Sequence, residues 1–205
     1  IEKTKIAMDQ KIPIIFNACF MTKLDSYEYP FGGRVDMLVL NSEIGNLFNL
    51  PVVPDNEDKY SIVNFRYATI DLRADGMYLL NNTKQKVYKA HLWLLNASLA
   101  ITQNWLPDVC YILGRKYQHT KQKTKIVKNG VFDHIGIIDF SQIDKTYEEE
   151  CRKALDWICK VREHGKDLDP FNPSCFEMYP NMKNSNDYPW RSYKSEIAET
   201  IKEIT

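Results

Sequence analysis

An acidic residue and a polar-x-basic triplet are the residues whose types and spacing suit them to chemistry. Asp36 follows a glycine-rich turn and interrupts an apolar segment at 34–41. Asn64 and Arg66 occupy alternate positions of a second segment at 60–72, so in a strand both side chains point to one face. A carboxylate, an amide oxygen and a guanidinium that meet at one place can hold a metal ion or a phosphate group. Alone, such a triplet is a weak signal.

Asp36 requires a partner, because an unpaired buried charge is costly. Two partners are open: the guanidinium of Arg66 on a neighbouring strand, or a metal ion. The two are related, since Arg66 can neutralise Asp36 when no metal is held. His91 falls in a predicted helix at a position expected to be buried, where it is either a hydrogen-bonded core residue or part of the site.

A basic segment at 115–125 interleaves cations with Tyr117 and His119. Its cations are Arg115, Lys116, Lys121, Lys123 and Lys125. One interpretation is a phosphate-tracking edge of a nucleic-acid groove. The other is a solvated β-hairpin or loop, since charge runs are often only solvated.

Hydrophobic periodicity and turn residues predict the elements that must position these side chains. Strands are predicted at 12–22, 34–41, 60–72, 109–114 and 133–140, and helices at 84–105, 145–165 and 192–204. Loop or irregular structure is predicted at 47–59 and 167–186, and a turn at Asp75–Gly76 makes 77–80 a hairpin partner. This order of elements predicts an α/β fold, with a mixed sheet flanked by helices.

The length, the charge balance and the cysteines limit the classes of protein to which the chain can belong. The 205 residues fit one domain, or one domain with an extension. With 27 basic and 27 acidic side chains, the chain is not a strongly cationic DNA-coating protein, although a local basic groove is compatible with this balance.

No apolar run is long enough for a membrane span. Five scattered cysteines without a Cys-x-x-Cys pair argue against a zinc ribbon and predict a reducing, intracellular compartment. The chain begins at Ile1 without an initiator Met, so we expect an excerpt of a longer protein.

Longer strings resemble a RecB-like branch of the PD-(D/E)XK, or restriction-endonuclease-like, superfamily, found in uncharacterised proteins of giant DNA viruses. They run through nearly the whole chain and are far more specific than the triplet. The matching strings are GRVDMLV at 33–39, NFRYATI at 64–70, YKAHLW at 88–93, YILGR at 111–115, GIIDF at 136–140 and MYPNMKN at 178–184.

The resemblance implies a restriction-endonuclease-like α/β core at 1–166, with a mixed central sheet flanked by helices. It also implies an irregular Pro/Asn-rich extension and a C-terminal helix at 167–205. In the family the activity is Mg²⁺-dependent phosphodiester hydrolysis, and the implied partner is nucleic acid, with DNA favoured over RNA. Further domains of a longer chain, or other viral proteins, are the other implied partners, in a virus factory or virion.

By the same resemblance the catalytic positions are Asp36, Asn64, Arg66 and His91, with Asp36 and Asn64 as metal ligands. Three of them depart from the family, which has an acid, a Lys and a Gln where this chain has Asn64, Arg66 and His91. Asn lacks the negative charge that Mg²⁺ prefers, and Arg cannot shuttle a proton. Two functions therefore stay open: a Mg²⁺-dependent nuclease, and a pseudonuclease that binds nucleic acid or serves as a structural or assembly subunit.

Overall fold

The structure, a computed structural model, describes residues 1–23, 29–48, 50, 54–121, 123–129, 135–165, 195 and 199. The helices are α1 (Glu2–Asp9), α2 (Asn41–Phe48), α3 (Thr83–Gln103) and α4 (Thr146–His164). The strands are β1 (Ile14–Phe16), β2 (Cys19–Thr22), β3 (Phe31–Arg34), β4 (Met37–Leu40), β5 (Tyr60–Asp71), β6 (Val109–Lys121), β7 (Thr124–Asn129) and β8 (Ile135–Asp139). Two compact units divide the chain within α4, Ile1–Cys151 and Arg152–Thr205.

Six strands form one mixed sheet in the order β1–β4–β5–β6–β7, with β8 also paired to β6. The β1, β4 and β5 strands are antiparallel neighbours. The β5 and β6 strands are parallel, and α3 makes the crossover that a parallel pair requires. Both β7 and β8 run antiparallel to β6. The predicted α/β class with a mixed central sheet is confirmed.

The two faces of the sheet bury separate apolar clusters, because side chains alternate along each strand. On one face, Leu38, Ile62 and Ile112 pack with Met8 of α1 and with Leu92, Leu95 and Leu99 of α3. On the other face, Val39, Val63 and Tyr111 pack with Ile44 of α2. Positions 62, 64 and 66 of β5 therefore face α3.

The strand predicted at 12–22 breaks after Phe16, and in the range predicted at 34–41 Arg34 ends β3 while β4 begins only at Met37, so the prediction of continuous strands over both ranges is wrong. Asn17 has a positive φ of 53°, and its N–H donates to the carbonyl of Asp36 at 2.9 Å. The Val35 N–H donates to the Ala18 carbonyl at 2.9 Å. These paired bends separate β2 and β3 from the main sheet as a hairpin that contacts α3.

Helix α2 was not predicted: the sequence analysis assigned Asn41 to the end of a strand and 47–59 to a loop, and made no prediction for 42–46. Its sequence includes Gly45 and Asn46, which have low helix propensity. The side chain of Asn41 is buried at the start of the helix, donates to the Asn56 carbonyl at 3.0 Å and accepts from Ser61 Oγ at 2.8 Å. Tertiary contacts therefore support a helix that local propensity does not favour.

The other predicted elements differ mainly in their extent. Helix α3 lies within one or two residues of the predicted 84–105, capped by Asn82 and by a left-handed Asn104. Strand β6 continues through the basic segment to Lys121, well beyond the predicted end at 114. The expected hairpin partner at 77–80 forms only isolated bridges, Leu72 with Leu79 and Tyr78 with Ile137. The predictions for 167–205 fall outside the described residues, apart from Ser195 and Glu199.

Candidate functional site

Asp36 and Asn64 are joined where the paired bends meet β5. The side-chain Oδ1 of Asn64 accepts the backbone N–H of Asp36 at 2.9 Å. In return, Oδ2 of Asp36 accepts the backbone N–H of Phe65 at 2.8 Å. Asn64 is 2% exposed, whereas the Asp36 side chain is 32% exposed. Each side chain thus binds the backbone of the other residue's segment. Asp36 is partly exposed, and one of its carboxylate oxygens already accepts a hydrogen bond.

Arg66 lies beside this pair on the same face of β5. Its Nη1 is 3.9 Å from Asp36 Oδ2, so the ion pair expected from the sequence is present at the long end of such contacts. Nη1 also donates to the Phe65 carbonyl at 2.9 Å, and Cζ lies 4.8 Å from the centroid of the Tyr88 ring. Nε is buried without a hydrogen-bond partner. The guanidinium is therefore held by one hydrogen bond, one cation–π contact and one ion pair.

His91 reaches the same site from α3, but it is exposed, so the expectation of a buried histidine is wrong. The buried face of α3 at this height is formed by Leu92 and Leu95, which leaves position 91 on the rim. Partial burial of the imidazole and the nearby Arg66 guanidinium lower the pKa of His91, while the Asp36 carboxylate acts in the opposite direction. These influences place His91 within electrostatic range of both charged groups.

A β-bulge follows Arg66 directly. Arg66 pairs with Gly114, but Thr69 pairs with Lys116, so β5 carries one extra residue here. Tyr67, within the bulge, is 77% exposed. Bulges often occur beside functional sites, where they redirect side chains. Sequence reasoning missed the bulge, which breaks no pattern in NFRYATI, and it missed Tyr88 as a partner of Arg66, although the spacing of Tyr88 and His91 on one helix face was a usable signal.

The described site offers few donor atoms to Mg²⁺. Within the described part of the chain, no group of three or more His, Cys, Asp or Glu side chains comes together. Asp36 supplies one carboxylate, the Asn64 oxygen already accepts a backbone N–H, and a guanidinium stands beside them. Mg²⁺ usually takes one or two carboxylates and completes its octahedral shell with waters or substrate phosphates. The described site would give it one carboxylate, with a positive charge next to it.

The five predicted nucleic-acid-binding cations lie on or between β6 and β7. Arg115, Lys116 and Lys121 belong to β6, Lys123 to the connection, and Lys125 to β7; all five are exposed. The segment is therefore a β-hairpin, as the second interpretation expected. Its binding of nucleic acid stays a prediction.

Lys89 and Asp144 form a separate, fully buried ion pair that the sequence analysis did not identify. Lys89 Nζ lies 2.6 Å from Asp144 Oδ1, and both side chains are 0% exposed. Lys89 also donates to the Leu79 carbonyl at 2.9 Å, and burial lowers its pKa against the opposing effect of Asp144. The pair connects α3 to the turn before α4.

No family model, curated protein or solved structure matches this chain. Among the described residues, no helix is both long enough and apolar enough to cross a membrane.

Proposed function

We propose that this chain is a nucleic-acid-binding domain that holds a backbone phosphate at Arg66 and does not cleave it. One observation carries the proposal: a guanidinium stands 3.9 Å from Asp36, where a metal-dependent nuclease of the resembled family would have a Lys. A guanidinium presents several N–H donors in a fork that matches phosphate oxygens.

The guanidinium of Arg66 has N–H groups for which the described contacts give no hydrogen bond. Among the described contacts, one hydrogen bond of Arg66 is present, from Nη1 to the Phe65 carbonyl; its Nε has no partner but is buried, so donors to a ligand must come from the exposed part of the guanidinium. Its side chain is 22% exposed, so a ligand can reach it. The Tyr88 ring supports the guanidinium from one side and leaves its edge for an anion. These features together are those of an anion-binding arginine.

Cleavage lacks the groups it needs. A guanidinium such as that of Arg66 does not serve to pass a proton to or from water. Asn64 is neutral, and its oxygen is committed to the Asp36 N–H. Asp36 is the one carboxylate that the described residues bring to Arg66, and it accepts from Phe65. The site is therefore organised around an ion pair.

A Mg²⁺-dependent deoxyribonuclease is the second candidate, and the order of elements favours it. A helix, three antiparallel strands, a crossover helix and a parallel strand follow one another as α1, β1, β4, β5, α3 and β6. Asp36, Asn64 and Arg66 come together on the α3 side of that sheet, and the resemblance assigns them, with His91, to catalysis. This layout is compatible with a nuclease ancestor.

The test compares DNA binding and supercoiled-plasmid nicking in four proteins: wild type, Asp36→Ala, Arg66→Gln and the double variant Asn64→Asp/Arg66→Lys. We expect wild type to bind DNA without nicking it in Mg²⁺ or Mn²⁺, and Arg66→Gln to bind more weakly. Wild-type nicking that Asp36→Ala abolishes would establish the nuclease instead. Absence of any binding by wild type would contradict the proposal and leave a structural or assembly role.

Nicking by Asn64→Asp/Arg66→Lys alone would show that the site keeps nuclease geometry and lost its chemistry through these two positions. Calorimetric titration with Mn²⁺ gives an independent measurement, since restoring a second carboxylate should create metal affinity that wild type lacks. Metal binding by wild type that Asp36→Ala removes would argue against our assignment of the ion pair.

A further inference from the structure

We propose that the hollow between α1, the start of β5 and the end of α3 binds a small zwitterion of about the size of a dipeptide. The hollow has a volume of about 450 Å³, which lies within the range of about 300–1,000 Å³ that is usual for small-molecule sites. None of its described lining residues belongs to the Arg66 site. The inference therefore stands apart from the proposed phosphate binding.

The floor of the hollow is buried and is held together by hydrogen bonds. Met8 and Tyr60 are 8% and 2% exposed. The side-chain amide of Gln103 joins the end of α3 to the start of β5, since Oε1 accepts the Tyr60 N–H at 3.0 Å and Nε2 donates to the Tyr60 carbonyl at 3.1 Å. Contacts between separate elements therefore fix the base on which a ligand would rest.

The rim offers one unpaired charge of each sign on α1. Lys5 and Asp9 lie one helical turn apart and are both exposed. Among the described contacts, neither side chain has an ion-pair or hydrogen-bond partner. Lysine precedes the acid, which is the less favourable order for such a pair on a helix. Both side chains are thus available to a ligand that carries two opposite charges.

Lys59 adds a second cation from the start of β5. Its Nζ donates to the Gln103 carbonyl at 2.7 Å, and the described contacts give it no carboxylate partner. An ammonium has three N–H donors, so two remain for a ligand. Lys11 and Asp58, which also line the hollow, lie 3.6 Å apart and neutralise each other.

The helix ends decide between a zwitterion and a simple anion. Helices α1 and α3 end at the hollow, at Asp9 and Gln103. A helix C-terminus carries a partial negative charge of about half a unit and favours cations. These ends and the Asp9 carboxylate oppose a ligand that is only anionic, whereas Lys5 and Lys59 oppose one that is only cationic. A zwitterion meets each charge with its opposite.

The spacing of the two charges on α1 suits a dipeptide. Residues four apart on a helix have Cβ atoms about 5–6 Å from each other. One peptide unit separates the Cα atoms of a dipeptide by about 3.8 Å, and the charged termini extend beyond them. The carboxylate can therefore meet Lys5 while the amino group meets Asp9, with the buried Met8 below for an apolar side chain.

The experiment is an NMR titration of the isotope-labelled whole chain with four probes: alanyl-leucine, its N-acetyl form, its C-terminal amide, and the form blocked at both ends. Shifts of the Met8 and Thr102 backbone amides locate the binding at the hollow. We expect alanyl-leucine to bind tightest. Each block should weaken binding about threefold to fivefold, the effect of losing one exposed charge pair.

Two variants assign the charges. Asp9→Asn should remove the preference for the free amino group, and Lys5→Met/Lys59→Met should remove the preference for the free carboxylate. Asp9→Asn loses no described contact, so it tests the proposal even where the lysine variant is less stable. Lys3→Met, at an exposed position of α1 outside the described lining, is the matched control and should keep both preferences.

Four outcomes would overturn the proposal: no binding of any probe, equal binding of all four, shifts confined to amides outside the hollow, or a preference for the free amino group that survives Asp9→Asn. Because none of the variants lies at the Arg66 site, each of these outcomes leaves the proposed phosphate binding to its own test.

Discussion

At the scale of single residues, the site is defined by which group neutralises Asp36. The carboxylate accepts from the Phe65 N–H, and the Arg66 guanidinium lies 3.9 Å away. The side-chain oxygen of Asn64 accepts the backbone N–H of Asp36, so it is already committed to a hydrogen bond. His91 is coupled to both charges through space. The chemistry of the site therefore depends on a small set of paired side chains, each of which can be tested by substitution.

The pKa of His91 should report the two charges directly. Removing the guanidinium in Arg66→Gln should raise the pKa of His91, because a positive neighbour disfavours the imidazolium. Removing the carboxylate charge in Asp36→Asn should lower the pKa further. An NMR titration of the imidazole protons measures both. Unchanged titration in both variants would separate His91 from the site.

The lowered pKa of His91 also predicts how the stability of the fold changes with pH. A pKa below the unfolded value means that the unfolded chain takes up the proton first as pH falls, so the His91 contribution is complete above pH ~6.5 and is lost below it. We expect wild type to lose stability relative to His91→Gln as pH falls from 7 to 5, measured by urea unfolding. The reverse trend would contradict the direction of the shift.

Lys89 tests the buried ion pair. Lys89→Met should destabilise the fold by about 3–5 kcal/mol, because it leaves Asp144 charged and buried without its partner. The double variant Lys89→Met/Asp144→Leu should recover much of that loss, and Lys86→Met on the exposed face should change stability by less than about 0.5 kcal/mol. Chemical denaturation checks all three. A loss in Lys89→Met no larger than in Lys86→Met would mean that the pair contributes little.

At the scale of elements, two irregularities create the site. The bends at Asn17 and Asp36 turn β2 and β3 away from the sheet and over α3. The bulge after Arg66 shifts the pairing of β5 with β6. If both places were regular strand, Asp36 would lie inside a strand pairing and β5 would lack the bulge that follows Arg66. The position of the candidate site thus depends on departures from regular structure.

The β2–β3 hairpin offers a matched pair of glycines. A Cβ at Gly32 would collide with the carbonyl oxygen of Phe20 and approach Met21 Cα to 2.8 Å, both backbone atoms. A Cβ at Gly33 would meet only the tip of the Leu95 side chain at 2.9 Å. We expect Gly32→Ala to cost about 1–3 kcal/mol and Gly33→Ala clearly less. Thermal unfolding measures both, and equal costs would contradict the packing of this hairpin.

At the scale of the whole molecule, neutrality conceals an uneven distribution of charge. The hairpin at 115–129 holds six cations and no acid within a chain of net charge zero. Long-range attraction of a polyanion should therefore be weak, and the proposed nucleic-acid binding would depend on a local surface, with an affinity that falls as salt rises.

The thiols give a whole-molecule check on burial. Cys110 and Cys151 are buried; burial raises the pKa of both, that of Cys151 to about 11. Cys19 and Cys159 are partly exposed. With iodoacetamide at pH ~8, near the ordinary thiol pKa, we expect Cys19 and Cys159 to react first and the other two only after unfolding, as measured by peptide mass mapping. Early modification of Cys110 would contradict the described core.

The sequence by itself determined the class of fold and the main crossover. Alternation in YSIVNFRYATID predicted β5, and helical spacing placed α3 to within two residues, because these long segments carry their own periodicity. The spacing of Asn64 and Arg66 also determined that they share a face. The Asp36–Arg66 pair was one of the two alternatives that the sequence left open for Asp36, the other being a metal ion.

Only the tertiary structure decided the bends, the bulge, α2 and the exposure of His91. A bend or bulge is stabilised by hydrogen bonds between distant segments, such as Asn17 with Asp36, and leaves no local pattern. Helix α2 depends on Asn41 contacts with Asn56 and Ser61, and His91 is exposed because its neighbours Leu92 and Leu95 take the buried face. Periodicity is a local property of the chain, whereas the surroundings of a side chain are set by residues far away in sequence.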